Sequence, residues 1–130
     1  MADGFKTVLL VEGEQQVMKL MLRLLIKENK YEVLTASGGE EALAVSRQAK
    51  CDIDLLITGI DIGKMNGVEL YKNLKQQRPQ IVVLFVSGGA LEFRDLYPDW
   101  PLLRKPFSPE AFLSKVRETL WTPGTGAESC

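Results

Sequence analysis

Short aliphatic runs recur along this chain, and the stretches between them carry helical periodicity. Residues 7–11 (TVLLV), 32–36 (EVLTA), 53–58 (IDLLIT), 81–87 (IVVLFVS) and 102–104 (LLR) have strand length. The first and fourth are apolar at nearly every position, as a strand covered on both faces must be. Between the first two runs, residues 15–29 place Val17, Leu20, Met21, Leu24 and Leu25 at i, i+3, i+4, i+7 and i+8, widened by Met18, Leu22 and Ile26. That spacing predicts an amphipathic helix. Strand and helix therefore alternate, which demands a parallel sheet with helices on both sides joined by right-handed crossovers. No internal repeat or low-complexity segment interrupts the pattern.

Local signals mark the other elements. Ser37 followed by Glu40 reads as a capping box opening a second helix, with Ala42, Leu43, Val45 and Ala49 facing inward. Residues 59–67 hold Gly59, Gly63 and an Asn66-Gly67 pair and read as a loop. A helix over 68–77 is expected to stop before Pro79, because the residue preceding proline avoids the helical region. After the fourth strand, Gly88-Gly89 stands where a capping side chain would help. Pro98 and Pro101 interrupt the next segment, so 90–101 is expected to hold a short or irregular helix. Ser108-Pro109-Glu110 is a strong helix start. That helix is expected to run to about residue 120, giving one domain over 1–121 and a flexible tail over 122–130 (TPGTGAESC).

Composition narrows the chemistry. The chain of 130 residues is 45% hydrophobic with a formal net charge of −1, so no basic footprint for nucleic acid stands out. It contains no histidine, which removes a phosphohistidine, a Ser-His triad and the common zinc sites together. No apolar run approaches the roughly 18 residues of a membrane span, and MADGFK has no signal-peptide pattern. Its two cysteines, Cys51 and Cys130, have no ligand-like spacing. A soluble, reducing, cytoplasmic setting is expected, with neither nucleic acid nor membrane as a partner.

Function in an open parallel sheet gathers at the carboxyl ends of its strands. Those ends read Glu12-Gly13-Glu14, Gly59-Ile60-Asp61, Ser87-Gly88-Gly89 and Lys105-Pro106. Taken in order with VLLVEGE, TASGGEEAL, DLLITGIDIGKMNGVEL, VLFVSGGA and LLRKPFSPEAF, the chain resembles the receiver domains of bacterial two-component response regulators over about residues 6 to 120. The local phrasing is similar to receivers at the C-terminus of hybrid sensor kinases. The resemblance implies a flavodoxin-like α/β fold, a doubly wound five-stranded parallel sheet of order 2-1-3-4-5. It also implies phosphoryl transfer from a histidine kinase to an Asp after the third strand. Paired acids after the first strand would hold Mg²⁺, a Ser or Thr after the fourth would contact the phosphate, and a Lys after the fifth would pair with it.

Ser87 and Lys105 match that pattern, and Glu12 matches the first acid conservatively. Gly13 stands where the second acid belongs and Gly59 where the phosphoacceptor belongs. Glycine has no nucleophile, and Mg²⁺ wants near-octahedral oxygen ligands. The expectation is therefore a degenerate, non-enzymatic receiver without Mg²⁺ that works by protein–protein contact. A histidine kinase, another receiver or a second copy would be its partner. Losing clustered carboxylates would also relieve their mutual repulsion.

Two other readings stand beside it: an active receiver phosphorylated on Asp61, and a small-anion sensor at Ser87 and Lys105, with the Gly88-Gly89 amides helping. Asp61 is otherwise a solvated loop acid, and Glu14 a favourable charge at a helix N-terminus. Lys105, without an Asp at 59, would pair with Glu12 or Asp61 or point to water. Leu102 occupies the position of the family's switching aromatic. Leu91, Phe93, Tyr97 and Trp100 would either fill the core under a poor helix or form an exposed patch.

Overall fold

The computed structural model describes residues 5–89 and 91–121, with the side chains of 91–93 left aside. The tail over 122–130 and the side chains of Leu91 and Phe93 lie outside the described residues. Ten elements alternate along the chain: β1 (Lys6–Val11), α1 (Gln15–Lys27), β2 (Tyr31–Ala36), α2 (Gly39–Gln48), β3 (Leu55–Gly59), α3 (Gly67–Gln77), β4 (Val82–Ser87), α4 (Leu91–Leu96), β5 (Leu102–Arg104) and α5 (Pro109–Leu120). The strands form one parallel sheet of order β2-β1-β3-β4-β5, as expected. No helix among the described residues is long and apolar enough to cross a membrane.

Strand alternation sorts the core into two layers. Along β1, Val8 and Leu10 point to the layer under α1 and α5, with Met21, Leu25, Phe112 and Val116. Leu9 and Val11 point the other way, to Leu56, Leu70, Leu74 and Phe85 under α2 and α3. Every residue of β1 is buried, Lys6 and Thr7 included, and the strand is apolar from Val8 to Val11, as one covered on both faces must be. The edge strand β2 is buried fully only at its two ends.

Several helix boundaries differ from the sequence expectation, each for a local reason. Helix α1 ends at Lys27, because Asn29 takes a left-handed conformation (φ 56°) that closes the turn. Its buried seam is Met21 and Leu25, flanked by Val17, Met18, Leu22 and Leu24, whereas Leu20 is 41% exposed. The Ser37–Glu40 capping box does not form. Gly38 is the N-cap, and the Ser37 amide and hydroxyl both donate to Glu41 Oε1, at 2.7 and 2.9 Å. These two bonds hold the Glu41 carboxyl below its usual pKa, the backbone one contributing most.

A true capping box opens α3 instead. The Asn66 side chain accepts from the Glu69 amide at 2.8 Å, and Glu69 accepts from the Asn66 amide at 3.1 Å. Ser108 caps α5 as expected, accepting from the Ala111 amide at 3.0 Å.

Helix α4 is only six residues long, which agrees with the proline-broken segment. Of the four apolar residues there, Tyr97 and Trp100 turn inward. Trp100 stacks on buried Phe85 (centroids 5.6 Å apart, interplanar angle 8°) and on Tyr97 at 4.3 Å, with Tyr71 edge-on at 5.4 Å. These two half-buried rings pack against the core beside the short helix. Leu102 is buried in the same layer.

Candidate functional site

The carboxyl ends of β1, β3, β4 and β5 open onto one cleft of about 270 Å³. It is lined by Glu12, Gly13, Glu14, Gly59, Ile60, Asp61, Val86, Ser87, Gly88, Gly89 and Lys105. All the candidate residues of the strand ends are therefore brought together; Leu102 lies apart, in the core.

Glu12 is the buried charge of the cleft, 6% exposed at the end of β1. Its Oε2 accepts from the Glu14 amide at 3.1 Å, which satisfies a donor at the start of α1. Lys105 reaches across from the β5 end, donating to Glu12 Oε2 at 3.3 Å and to Glu14 Oε1 at 3.0 Å. Its partners are thus Glu12 and Glu14, not Asp61, which lies exposed on the same cleft. Glu14 differs from its expected role for the same reason: it is the N-cap residue of α1, but its side chain makes no cap and turns to the ammonium. Burial alone would pull the Lys105 pKa down. The hydrogen bond to Glu14 and the charge of Glu12 outweigh that and hold it above its usual value.

The two glycines differ in the space around them. A Cβ on Gly13 would sit 3.7 Å from the Ser37 carbonyl oxygen, an ordinary contact. On Gly59 it would meet Ile62 Cγ2 at 3.2 Å, so Ile62, itself buried, must give by a few tenths of an ångström. Across the loop, Gly67 has no such latitude. Its amide donates to the Ile60 carbonyl at 2.7 Å, and a Cβ there would collide with the Gly59 carbonyl oxygen. Gly67→Ala is expected to cost about 1–3 kcal/mol through this overpacking. Urea unfolding checks it, and an unchanged midpoint would mean that the loop yields freely.

Ser87, at the end of β4, accepts from the Gly89 amide at 3.3 Å. Neither Gly13 nor Gly59 offers a side-chain oxygen, and both carboxylates after β1, Glu12 and Glu14, touch one ammonium. Among the described residues no three His, Cys, Asp or Glu side chains gather as a metal-holding group.

Comparison with known proteins fits this architecture. The family model of the response regulator receiver domain matches residues 8–96. The chain belongs to that family. It is 32% identical over 120 residues to the alkaline phosphatase synthesis transcriptional regulatory protein PhoP of Bacillus subtilis, covering 88% of this chain and 48% of that protein. It is 34% identical over 122 residues to the sensor kinase CckA of Brucella abortus, covering 91% of this chain and 13% of the kinase. The chain thus spans half or less of the length of these relatives. Among solved structures, the receiver domain of the hybrid histidine kinase CckA superposes with a TM-score of 0.72 at 30% identity, covering 88% of this chain and 98% of that one. The chemotaxis response regulator CheY4 of Vibrio cholerae gives 0.77 at 25% identity, covering 89% and 99%. The receiver domain is a module of two-component signalling, and the relatives that carry it here are a transcriptional regulatory protein and a sensor kinase.

Proposed function

We propose that this receiver is closed to phosphorylation at the family position, works without Mg²⁺ and signals through protein–protein contact. The observation that carries this reading is the Glu12–Lys105–Glu14 bridge beside two glycines. In the family scheme Lys105 would serve an acyl phosphate and Glu12 a metal. Here each is the other's partner. Residue 59 has no atom to phosphorylate, and Mg²⁺, which takes one or two carboxylates among near-octahedral oxygens, would meet Glu12 and Glu14 engaged with Lys105 and only the exposed Asp61 outside that bridge. The bridge instead ties the end of β1 and the start of α1 to the end of β5, holding loops that a metal and phosphate would otherwise organise. A histidine kinase, another regulator or a second copy of the chain would then recognise a fixed surface.

Two competing readings are weaker on this geometry. Asp61 lines the cleft, but it lies exposed at its rim. A small anion would have to compete with two carboxylates for Lys105, in a cleft that also holds Asp61.

Thermal melts test the metal-free reading. Millimolar MgCl₂, compared with NaCl at equal ionic strength, is expected to leave Tm unchanged. Specific binding at 100 times Kd would add about 2.7 kcal/mol of stability. A clear rise in Tm would defeat the reading.

A further inference from the structure

The outer edge of β4 is only half covered. Alternate residues of a parallel strand present both amide and carbonyl to the same neighbour. The Val82 amide donates to the Asp54 carbonyl on the β3 side at 3.1 Å, and the Phe85 amide to the Pro101 carbonyl on the β5 side at 3.0 Å. Val83 therefore faces the β5 side, where strand pairing begins only at Phe85–Leu102. A continued ladder would bring the amide of residue 101 to the Val83 carbonyl, but that residue is proline and has no N–H. The chain before it turns away, the Trp100 amide donating to the Tyr97 carbonyl at 3.2 Å. Two residues before Val83 the edge is closed again, the Ile81 carbonyl accepting from Lys75 Nζ at 3.1 Å. The Val83 amide and carbonyl have no hydrogen-bond partner among the described residues, although Val83 is only 5% exposed. Buried main-chain groups are almost always paired.

Val83 lines a groove of about 460 Å³ at the amino-terminal end of β4, away from the cleft at the carboxyl ends of the strands. Tyr71, Trp100 and Leu102 give it an apolar wall on the α2/α3 layer, to which the Val83 side chain also belongs. Its charged lining is balanced, Arg94 and Lys115 against Asp99 and Glu118, so a lone ion of either sign gains little there. A main-chain donor and acceptor side by side are matched best by another extended main chain. In an antiparallel hydrogen-bonded pair a single residue supplies both bonds. Resting on the reading of a receiver that signals through protein contact, we propose that an extended, uncharged segment of a partner protein, about three residues long, adds to β4 in this groove. Its central residue bonds the Val83 amide and carbonyl and lays an apolar side chain on the Tyr71 and Trp100 wall, because paired residues share a face of the sheet. The flanking side chains point to the other face, toward Lys115 and Thr119 of α5.

The test is a titration of the ¹⁵N-labelled chain with acetyl-Thr-Val-Thr-amide and with its counterpart N-methylated at valine, which has no donor for the Val83 carbonyl. The first peptide is expected to move the amides of Val83, Trp100 and Leu102 saturably, with a Kd on the order of 1–10 mM. The Val83 amide, gaining an acceptor, should shift most. The N-methylated peptide should bind at least about tenfold more weakly. Thr119→Tyr, which fills the groove from α5, should weaken the first peptide about fivefold or more while the remaining amides keep their positions. No localised shift, equal binding of the two peptides, or an equal response to N-methylacetamide at the same concentration would overturn the proposal. A parallel MgCl₂ titration separates it from the reading of the other cleft. Saturable Mg²⁺ shifts at Gly13, Glu14 and Asp61 would defeat the metal-free reading, whereas the peptide shifts alone decide the groove.

Discussion

Phe85→Ala is expected to be the most damaging single truncation in the α2/α3 layer, lowering stability by about 3–5 kcal/mol in urea unfolding. Phe85 is fully buried in β4, opposite Leu102 of β5 in the strand register. Its ring lies flat against Trp100 and edge-on to Tyr71, with centroids at 5.6 and 6.3 Å. Truncation leaves a cavity that rigid strand backbone cannot close, and it removes the surface on which the Trp100 and Tyr97 stack rests. Beside the six-residue α4, that aromatic stack packs on this layer together with Val83 and Leu102. A whole domain has only about 5–15 kcal/mol in hand, so the variant should sit near its unfolding limit. A loss under about 1.5 kcal/mol would show that the layer collapses to fill the space, as a loosely packed edge would.

Lys105→Met is expected to cost about 2–3 kcal/mol, less than for a fully buried pair because the ammonium is partly exposed. The loss comes mainly from Glu12, left as a buried carboxylate with no cation. Lys105→Met/Glu12→Gln should therefore recover a good part of it, and the double-mutant cycle isolates the coupling. The pH dependence has a definite sign. The folded pKa of Lys105 is raised, so its contribution is complete below the unfolded value of about 10.4 and is lost as pH rises through the folded one. The stability gap between the wild type and Lys105→Met should thus be flat from neutral pH to about 9.5 and narrow above about 10.5. A gap that closed between pH 5 and 7 would assign the coupling to another group.

Much of the sheet is legible in the sequence because strands buried on both faces leave an unmistakable apolar signature, as in β1 and β4. The α5 start is legible too, since Ser108, Pro109 and Glu110 all favour the same position. The strand order comes from family resemblance, not from periodicity. The hidden features are those specified by distant partners. Glu14 reads as an ordinary helix-start acid until the fold brings Lys105 to it across 91 positions of sequence. Arg78 is silent in sequence, yet its guanidinium donates to Ser46 Oγ at 2.9 Å and to the Ser46 and Cys51 carbonyls at 2.8 and 3.1 Å, tying α2 to the end of α3. Asn66 reads as half of a turn pair, because Asn-Gly favours turns, and the reciprocal Glu69 three residues on is the signal that reveals the cap. Helix α1 has apolar residues around so much of its circumference that period alone does not fix which stripe is buried. At the site, the glycines are visible in sequence, but the lysine bridged to Glu12 and Glu14 beside them requires the fold.

The central claim is that the scaffold of a receiver is intact while its acceptor chemistry is absent. The measurement that tests it most directly is intact mass after incubation with acetyl phosphate and Mg²⁺, for the wild type beside Gly13→Asp/Gly59→Asp. A Cβ finds ordinary contact at Gly13, and at Gly59 once Ile62 shifts by a few tenths of an ångström. The account predicts that the wild type keeps its mass and that only the double variant gains one phosphoryl group. A phosphoryl group on the unaltered chain would contradict it, and would mean that Asp61 or another carboxylate does the work of the missing acid.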